Sequence, residues 1–243
     1  MTQNIYEDPD FHAAYMRLPR SVSGLEGAPE WPSLRAMLPG LDGARVLDVG
    51  CGLGWFCRWA RGAGAASVLG LDISERMLNG ARAATDDTAI TYARADLEDV
   101  ALPVGAFDLA YSSLALHYIA GLDGLLAALA RALVPGGMLV ASVEHPVFTA
   151  PATPGWLADA AGAPAWGLNG YLDEGRREVD WLGTRVVKQH RTVAGWLAAL
   201  RRAGFNLARL EEWAPSLAQL EKHPEWVNHR QIPNFLLFAA TRA

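Results

Sequence analysis

From residue 44 onward, short apolar runs alternate with stretches in which apolar residues recur every three or four positions. The runs are 44–49 (ARVLDV), 67–71 (SVLGL), 89–93 (AITYA), 107–112 (FDLAYS) and 138–144 (MLVASVE). Helical spacing fills 54–63, 74–84 and 122–133 between them. Strands apolar on both faces are buried on both faces, so the alternation predicts βαβ units and a parallel sheet between helical layers. Ser74 suits the N-cap of the second helix, and Pro135-Gly136-Gly137 stops the third. Regularity returns at Thr192, where TVAGWLAALRRAGF reads as an amphipathic helix ending at Gly204. Strands at 205–211 and 234–241 close the chain.

Two segments break this rhythm. Residues 1–40 are irregular and punctuated by Pro9, Pro19, Pro29, Pro32 and Pro39, with one short helix expected in DPDFHAAYMRL and Asp10 as its N-cap. We read 1–40 as an N-terminal cover segment and 41–243 as one α/β domain. Residues 146–185 carry Trp156, Trp166 and Trp181 with no sustained period. A stretch this long in a compact domain is commonly functional, so 146–190 is expected to be a lid-like insertion.

Composition narrows the class. The chain has 243 residues, of which 51% are apolar and 19% charged, enough for a sizeable core and unlike a disordered protein. No apolar run approaches the ~20 residues of a membrane helix. MTQNIYEDPDF has neither basic flank nor apolar core, so a cytoplasmic protein with no membrane partner is expected. Cys51 and Cys57 stand six positions apart, which is neither CxxC nor a disulfide framework. The net charge of −5 and the lack of a basic cluster argue against a nucleic-acid partner. Only Lys188 and Lys222 among 21 basic residues are lysines, which we attribute to genome composition.

The informative motif is VLDVGCGLG, residues 46–54, where a buried strand opens through glycines into a helix. Glycines let backbone approach a ligand, and the helix start offers free N–H groups. A dinucleotide fingerprint, G-x-G-x-x-G, would imply a nicotinamide-dependent oxidoreductase, but its third glycine is replaced by Trp55. The spacing is G-x-G-x-G at Gly50, Gly52 and Gly54, preceded by Asp48. A carboxylate there repels an anion and tolerates a ligand with ammonium and sulfonium charges.

With Asp72 ending LGLDIS, Asp96 in ARADLED, FDLAYSSLALHYI at 107–119 and LVPGGMLV at 133–140, the chain resembles the Rossmann-like, class I S-adenosylmethionine (SAM)-dependent methyltransferases of the type 11 small-molecule group. The resemblance is strongest over about residues 42–145. It implies a doubly wound seven-stranded sheet of order 3-2-1-4-5-7-6 with the last strand antiparallel. It implies SAM as cofactor and a small organic methyl acceptor. Asp72 would hold the ribose diol, and Asp96 and the Leu97 backbone the adenine, with Ile73 and Met77 flanking the ring. The turn Gly50-Cys51-Gly52, with Gly54 and Asp48, would take the methionine end. Ser112 and Ser113 would complete the cofactor side, and Tyr15 and Arg20 would reach it from the cover segment. A non-catalytic SAM-binding protein would share all these features.

Methyl transfer needs alignment of nucleophile, methyl and sulfur, and a base only where the nucleophile must lose a proton. Groups after the carboxyl ends of the strands are candidates: His117, Glu144 and His145 for catalysis, and His145, Trp166, Tyr171 and His190 for substrate contact. Each histidine also has a purely structural reading. No histidine pairing at i, i+3 or i, i+4 suggests a metal, so none is expected.

Overall fold

The structure, a computed structural model, describes residues 2–243. Seven strands form one sheet in the order β3-β2-β1-β4-β5-β11-β10. They are β1 (Arg45–Val49), β2 (Ser67–Asp72), β3 (Ile90–Arg94), β4 (Phe107–Ser113), β5 (Leu133–Glu144), β10 (Phe205–Trp213) and β11 (Phe235–Arg242). The first five strands run parallel, and β11 is antiparallel to β5 and β10. This is the strand order, with the last strand antiparallel, that the resemblance implies.

Period-two alternation along the strands feeds two cores. Leu47, Val49, Leu71 and Ala110 point to one face, where Leu122, Leu126 and Leu129 of α6 (Leu122–Ala132) and Trp196 of α8 (Val193–Arg202) cover them. Val46, Val68, Leu109 and Tyr111 point to the other. There they meet Trp31 and Leu34 of α3 (Trp31–Met37), Phe56 and Ala60 of α4 (Trp55–Gly62) and Leu78 of α5 (Glu75–Ala83). Ser74 and Thr192 cap α5 and α8 as expected, by accepting from Met77 N and Gly195 N.

Three local expectations change. Asp8, not Asp10, caps α1 (Pro9–Tyr15): its carboxylate accepts from Asp10 N and Phe11 N, because Pro9 takes the first helical position. β5 starts at Leu133 rather than 138. Its register against β4 jumps from Phe107↔Leu133 to Leu109↔Met138, so Pro135-Gly136-Gly137 bulges out within the strand. The segment after β5 is not irregular. It holds α7 (Pro146–Thr149), a short hairpin of β6 (Trp156–Ala158) and β7 (Pro164–Trp166), and a longer one of β8 (Gly175–Trp181) and β9 (Thr184–His190). Leu182 and Gly183, at φ 51° and 77°, form the two-residue turn of that second hairpin.

Candidate active site

A cavity of about 410 Å³ opens at the carboxyl ends of β1–β5, where ligands sit in open α/β sheets. Its floor is the glycine turn. Gly50 and Gly52 have φ of 80° and 52°, and a Cβ on Gly50 would stand 2.4 Å from the Ala115 Cβ. Gly50 N and Cys51 N donate to Leu71 O at 2.8 and 2.9 Å, fastening the turn to the end of β2. Gly52 N donates to Asp72 Oδ2 at 2.8 Å, and Ser74 N donates to Oδ1 at 2.9 Å. Burial raises the Asp72 carboxyl above its ordinary pKa, against the lowering effect of those N–H groups. Ile73, Met77, Asp96 and Leu97 line the same side.

Arg20 enters from α2 (Pro19–Ser23). Its guanidinium donates to Ser113 Oγ at 3.2 Å and pairs with the fully buried Glu30 at 2.6 Å. A shallow recess beside the turn is lined by Asp48, Cys51, Tyr111 and Arg20. Asp48 is buried against Cys57, whose thiol donates to Oδ2 at 3.2 Å, and burial pushes its carboxyl up to about 7.

The opposite end of the cavity belongs to β4 and β5. Leu114 leaves β4 at φ 53°, an uncommon backbone conformation for a leucine and one concentrated at functional sites. It leads to His117 and Tyr118, both lining the cavity with Glu144. Lys188 Nζ contacts both Glu144 carboxylate oxygens, at 2.6 and 2.8 Å. Burial would raise the Glu144 carboxyl, but His117 and Lys188 outweigh it and hold the group below its ordinary value. Burial drives the His117 imidazole down to about 4, so the ring is neutral at neutral pH. Its Nδ1 accepts from Glu144 N at 3.4 Å, and its buried Nε2 has no partner.

The roof combines the chain's first residues with hairpin β8–β9. The Gln3 side chain donates to Arg185 O and accepts from Val187 N, and Asn4 Nδ2 donates to Ile73 O. Thr2 Oγ1 donates to Asp96 Oδ2, and Glu7 accepts from Ser74 Oγ and Arg76 N. Trp181 stands edge-on to Phe11 and Tyr15, with ring centroids 5.4 and 6.1 Å apart. Tyr6, Tyr15 and Tyr118 are partly buried, and desolvation raises each phenol above its ordinary pKa.

The structure therefore gathers Tyr15, Arg20, Gly50, Gly52, Asp72, Ile73, Met77, Asp96, Leu97, Ser113, His117 and Glu144 around one cavity. Other expected residues stand elsewhere. Gly54 does not line the cavity; a Cβ there would sit 2.2 Å from the Tyr92 hydroxyl, so the glycine admits packing against β3. Cys51 and Asp48 line only the side recess. Ser112 faces inward and donates to Val49 O at 2.7 Å, tying β4 to β1.

None of the four residues expected to contact substrate lines this cavity. Adjacent side chains on extended backbone point to opposite faces, so Glu144 enters the cavity and His145 turns away. The His145 ring caps α7 through Val147 N and contacts Glu212 of β10 at 2.9 Å. Trp166 Nε1 donates to Val147 O, and its ring packs on Phe148 and Trp156. The Tyr171 hydroxyl accepts from Val193 N at the start of α8. His190 bonds Thr149 Oγ1 and Tyr171 O. These groups fasten the insertion to the domain. Its contact with the cavity comes from Arg176, Trp181, Val187 and Gln189 instead.

Residues missed in the sequence are Thr2, Gln3, Glu30, Tyr118, Lys188 and the faces of β8–β9. The alternation Arg177, Val179, Trp181 against Arg176, Glu178, Asp180 was a readable strand signal, followed by Leu182-Gly183 as a two-residue turn. Nothing local marked Lys188, which meets Glu144 across 44 positions.

Sheet order, glycine turn and acidic strand ends together define a class I, Rossmann-like cofactor-binding domain. The methyltransferase domain family matches residues 47–141. A crystal structure of a SAM-dependent methyltransferase from Mesorhizobium loti is 54% identical, covers 90% of this chain and 100% of its own, and superposes with a TM-score of 0.88. The chain belongs to the SAM-dependent methyltransferases, and SAM is its cofactor. Among curated relatives, a malonyl-[acyl-carrier protein] O-methyltransferase from Enterobacter lignolyticus is 41% identical over 44% of this chain and 41% of its own length. A tRNA U34 carboxymethyltransferase from Methylococcus capsulatus is 30% identical over 85% of this chain and 58% of its own. The chain thus matches less than two thirds of the length of these two relatives, whose acceptors differ.

Proposed function

We propose that this methyltransferase acts on a small organic molecule, held between the cofactor and hairpin β8–β9. The observation that carries the reading is the roof. Residues 2–7 and β8–β9 are hydrogen-bonded to each other through Gln3 and close over the β4–β5 end of the cavity. Such a cover favours a small acceptor over a folded protein or tRNA, and the net charge of −5 gives a polyanion no attraction. Small-molecule sites are typically enclosed in this way.

The cavity fits SAM chemically. Asp72 offers a carboxylate to a ribose diol, with its orientation fixed by Gly52 N and Ser74 N. Ile73, Met77 and Leu97 supply apolar walls for a flat base, with Asp96 beside them. Arg20 brings a cation for a carboxylate, and Glu30 holds it in place. The cradle at Gly50 leaves no room for a side chain. When bound, SAM supplies an activated methyl group on a sulfonium.

The chain's own residues align the acceptor and exclude water. Tyr6, Tyr15, Tyr118 and Trp181 wall the β4–β5 end, and the Gln3 link keeps the cover shut. His117 and Glu144 are not poised as bases: the former is neutral with a depressed pKa, and the latter is engaged by Lys188. A cytoplasmic setting accords with two free thiols, Cys51 and Cys57, and among the described residues no helix is long and apolar enough to cross a membrane.

The test is methyl transfer from radiolabelled SAM to three acceptor pools: a cytosolic small-molecule extract, bulk tRNA, and acyl-carrier protein bearing malonyl groups. Label should enter the small-molecule pool alone. Label in tRNA or in the carrier protein, with none in the extract, would overturn the reading.

A further inference from the structure

The acceptor end of the cavity carries an uncommon balance of hydrogen-bonding groups. His117 is 2% exposed and lines the cavity. Its Nδ1 accepts from Glu144 N, so in the neutral ring the proton sits on Nε2. That Nε2–H is buried and has no partner. A buried donor left unsatisfied costs free energy that a ligand's acceptor atom would recover. Tyr6 and Tyr118, both partly buried, line the same end.

The acidic side chain beside His117 is neutralised. Glu144 gives both oxygens to Lys188, whose ammonium also lies 5.6 Å from the centre of the Trp181 ring. Asp72 belongs to β2, three strands from β5 in the sheet. At the usual strand spacing that separation is about 14 Å. Arg176 lines the cavity from the hairpin side and is paired with Glu178. An anionic group at this end therefore meets the unpartnered His117 donor, while Glu144 is paired with Lys188 and Glu98 accepts from Ala120 N and Gly121 N.

The same atoms leave no base. Nε2 of His117 already carries its proton, and Glu144 is held by Lys188. The nucleophile must arrive deprotonated, and a carboxylate is in that form at neutral pH where an alcohol or an ammonium is not.

Resting on the methyltransferase reading above, we infer that the methyl acceptor is a carboxylate, bound through His117 Nε2–H beside the Glu144–Lys188 pair and converted to its methyl ester. The step balances without a proton. A carboxylate lone pair forms the new O–C bond, the methyl carbon's bond to sulfur breaks, and sulfur keeps that electron pair. His117 touches the substrate; Lys188 is a positioning residue, acting through Glu144.

The test uses the full chain saturated with S-adenosylhomocysteine and titrated calorimetrically with matched carboxylate, primary amide and amine probes. Three bodies are used: 3-phenylpropanoate, indole-3-propanoate and hexanoate, each with its amide and amine. At least one carboxylate should bind tenfold or more tightly than its amide and amine. His117→Phe should erase that preference, and His117→Gln, which keeps an N–H donor, should restore part of it, with S-adenosylhomocysteine affinity unchanged in both. With methyl-labelled SAM, the product should release volatile label on mild alkali, as an ester does. Amines that bind as tightly as carboxylates, or no carboxylate that exceeds its amide, would overturn the inference while the methyltransferase reading stands. Loss of S-adenosylhomocysteine binding by the unaltered chain would instead contradict that underlying reading.

Discussion

Asp72 and Asp48 differ in what surrounds their carboxylates, and the difference predicts different mutants. Asp72 faces the cavity and accepts two backbone N–H groups. Asp72→Asn should weaken SAM at least tenfold by calorimetry, since each charge-assisted bond to a ligand contributes roughly 1.5–3 kcal/mol. Its far-ultraviolet circular dichroism should be unchanged. Asp48 is fully buried beside Cys57, with its pKa raised from 3.8 to about 7. A raised carboxyl stabilises the fold fully below the unfolded pKa and loses that contribution as pH rises through the folded value. The ligand-free protein should therefore lose stability relative to Asp48→Asn between pH 5 and pH 7, by up to roughly 2–3 kcal/mol at 1.36 kcal/mol per pKa unit. Denaturant midpoints of both proteins at pH 5 and 8 measure this, and parallel shifts would show that Asp48 titrates normally.

At the scale of elements, the glycine turn and the cover behave differently. Gly50→Ala places a Cβ 2.4 Å from the Ala115 Cβ at a φ of 80°, so SAM binding should be lost and the thermal midpoint should fall by several degrees. The cover's own cluster, Ile5, Phe11 and Val186, is separate from the two cores of the sheet. Removal of residues 1–8 should leave the sheet cooperative in thermal unfolding but reduce SAM affinity and admit protease at β8–β9. Unchanged affinity and unchanged cleavage would mean that the roof has no role in binding.

The βαβ elements were readable because each strand and helix carries its own period, and Ser74 and Thr192 carry their own caps. The insertion was less readable. Strand β8 is only half buried, with residues alternating between intermediate and exposed, so its hydrophobic contrast is weak. Strand position alone does not reveal which of two neighbours, Glu144 or His145, faces the cavity. Lys188 was invisible because its partner lies on another strand in another region of the chain.

Across the whole molecule, labour is divided between a sheet that carries stability and one end of it that carries chemistry. Leu126 of α6 is fully buried in the larger core and does not line the cavity. Leu126→Ala should cost about 2–5 kcal/mol in denaturant unfolding yet leave SAM affinity per folded molecule unchanged. The central claim is that one cavity holds SAM along a line from Asp96 through Asp72 to Arg20 and presents its reactive end to His117 and Glu144. A crystal structure of the full chain with S-adenosylhomocysteine tests it most directly. The account predicts the ribose hydroxyls on Asp72, the amino-acid carboxylate at Arg20, and the sulfur facing the space beneath Tyr118 and Trp181. A ribose bound away from Asp72, or a sulfur turned away from the β4–β5 end, would contradict it.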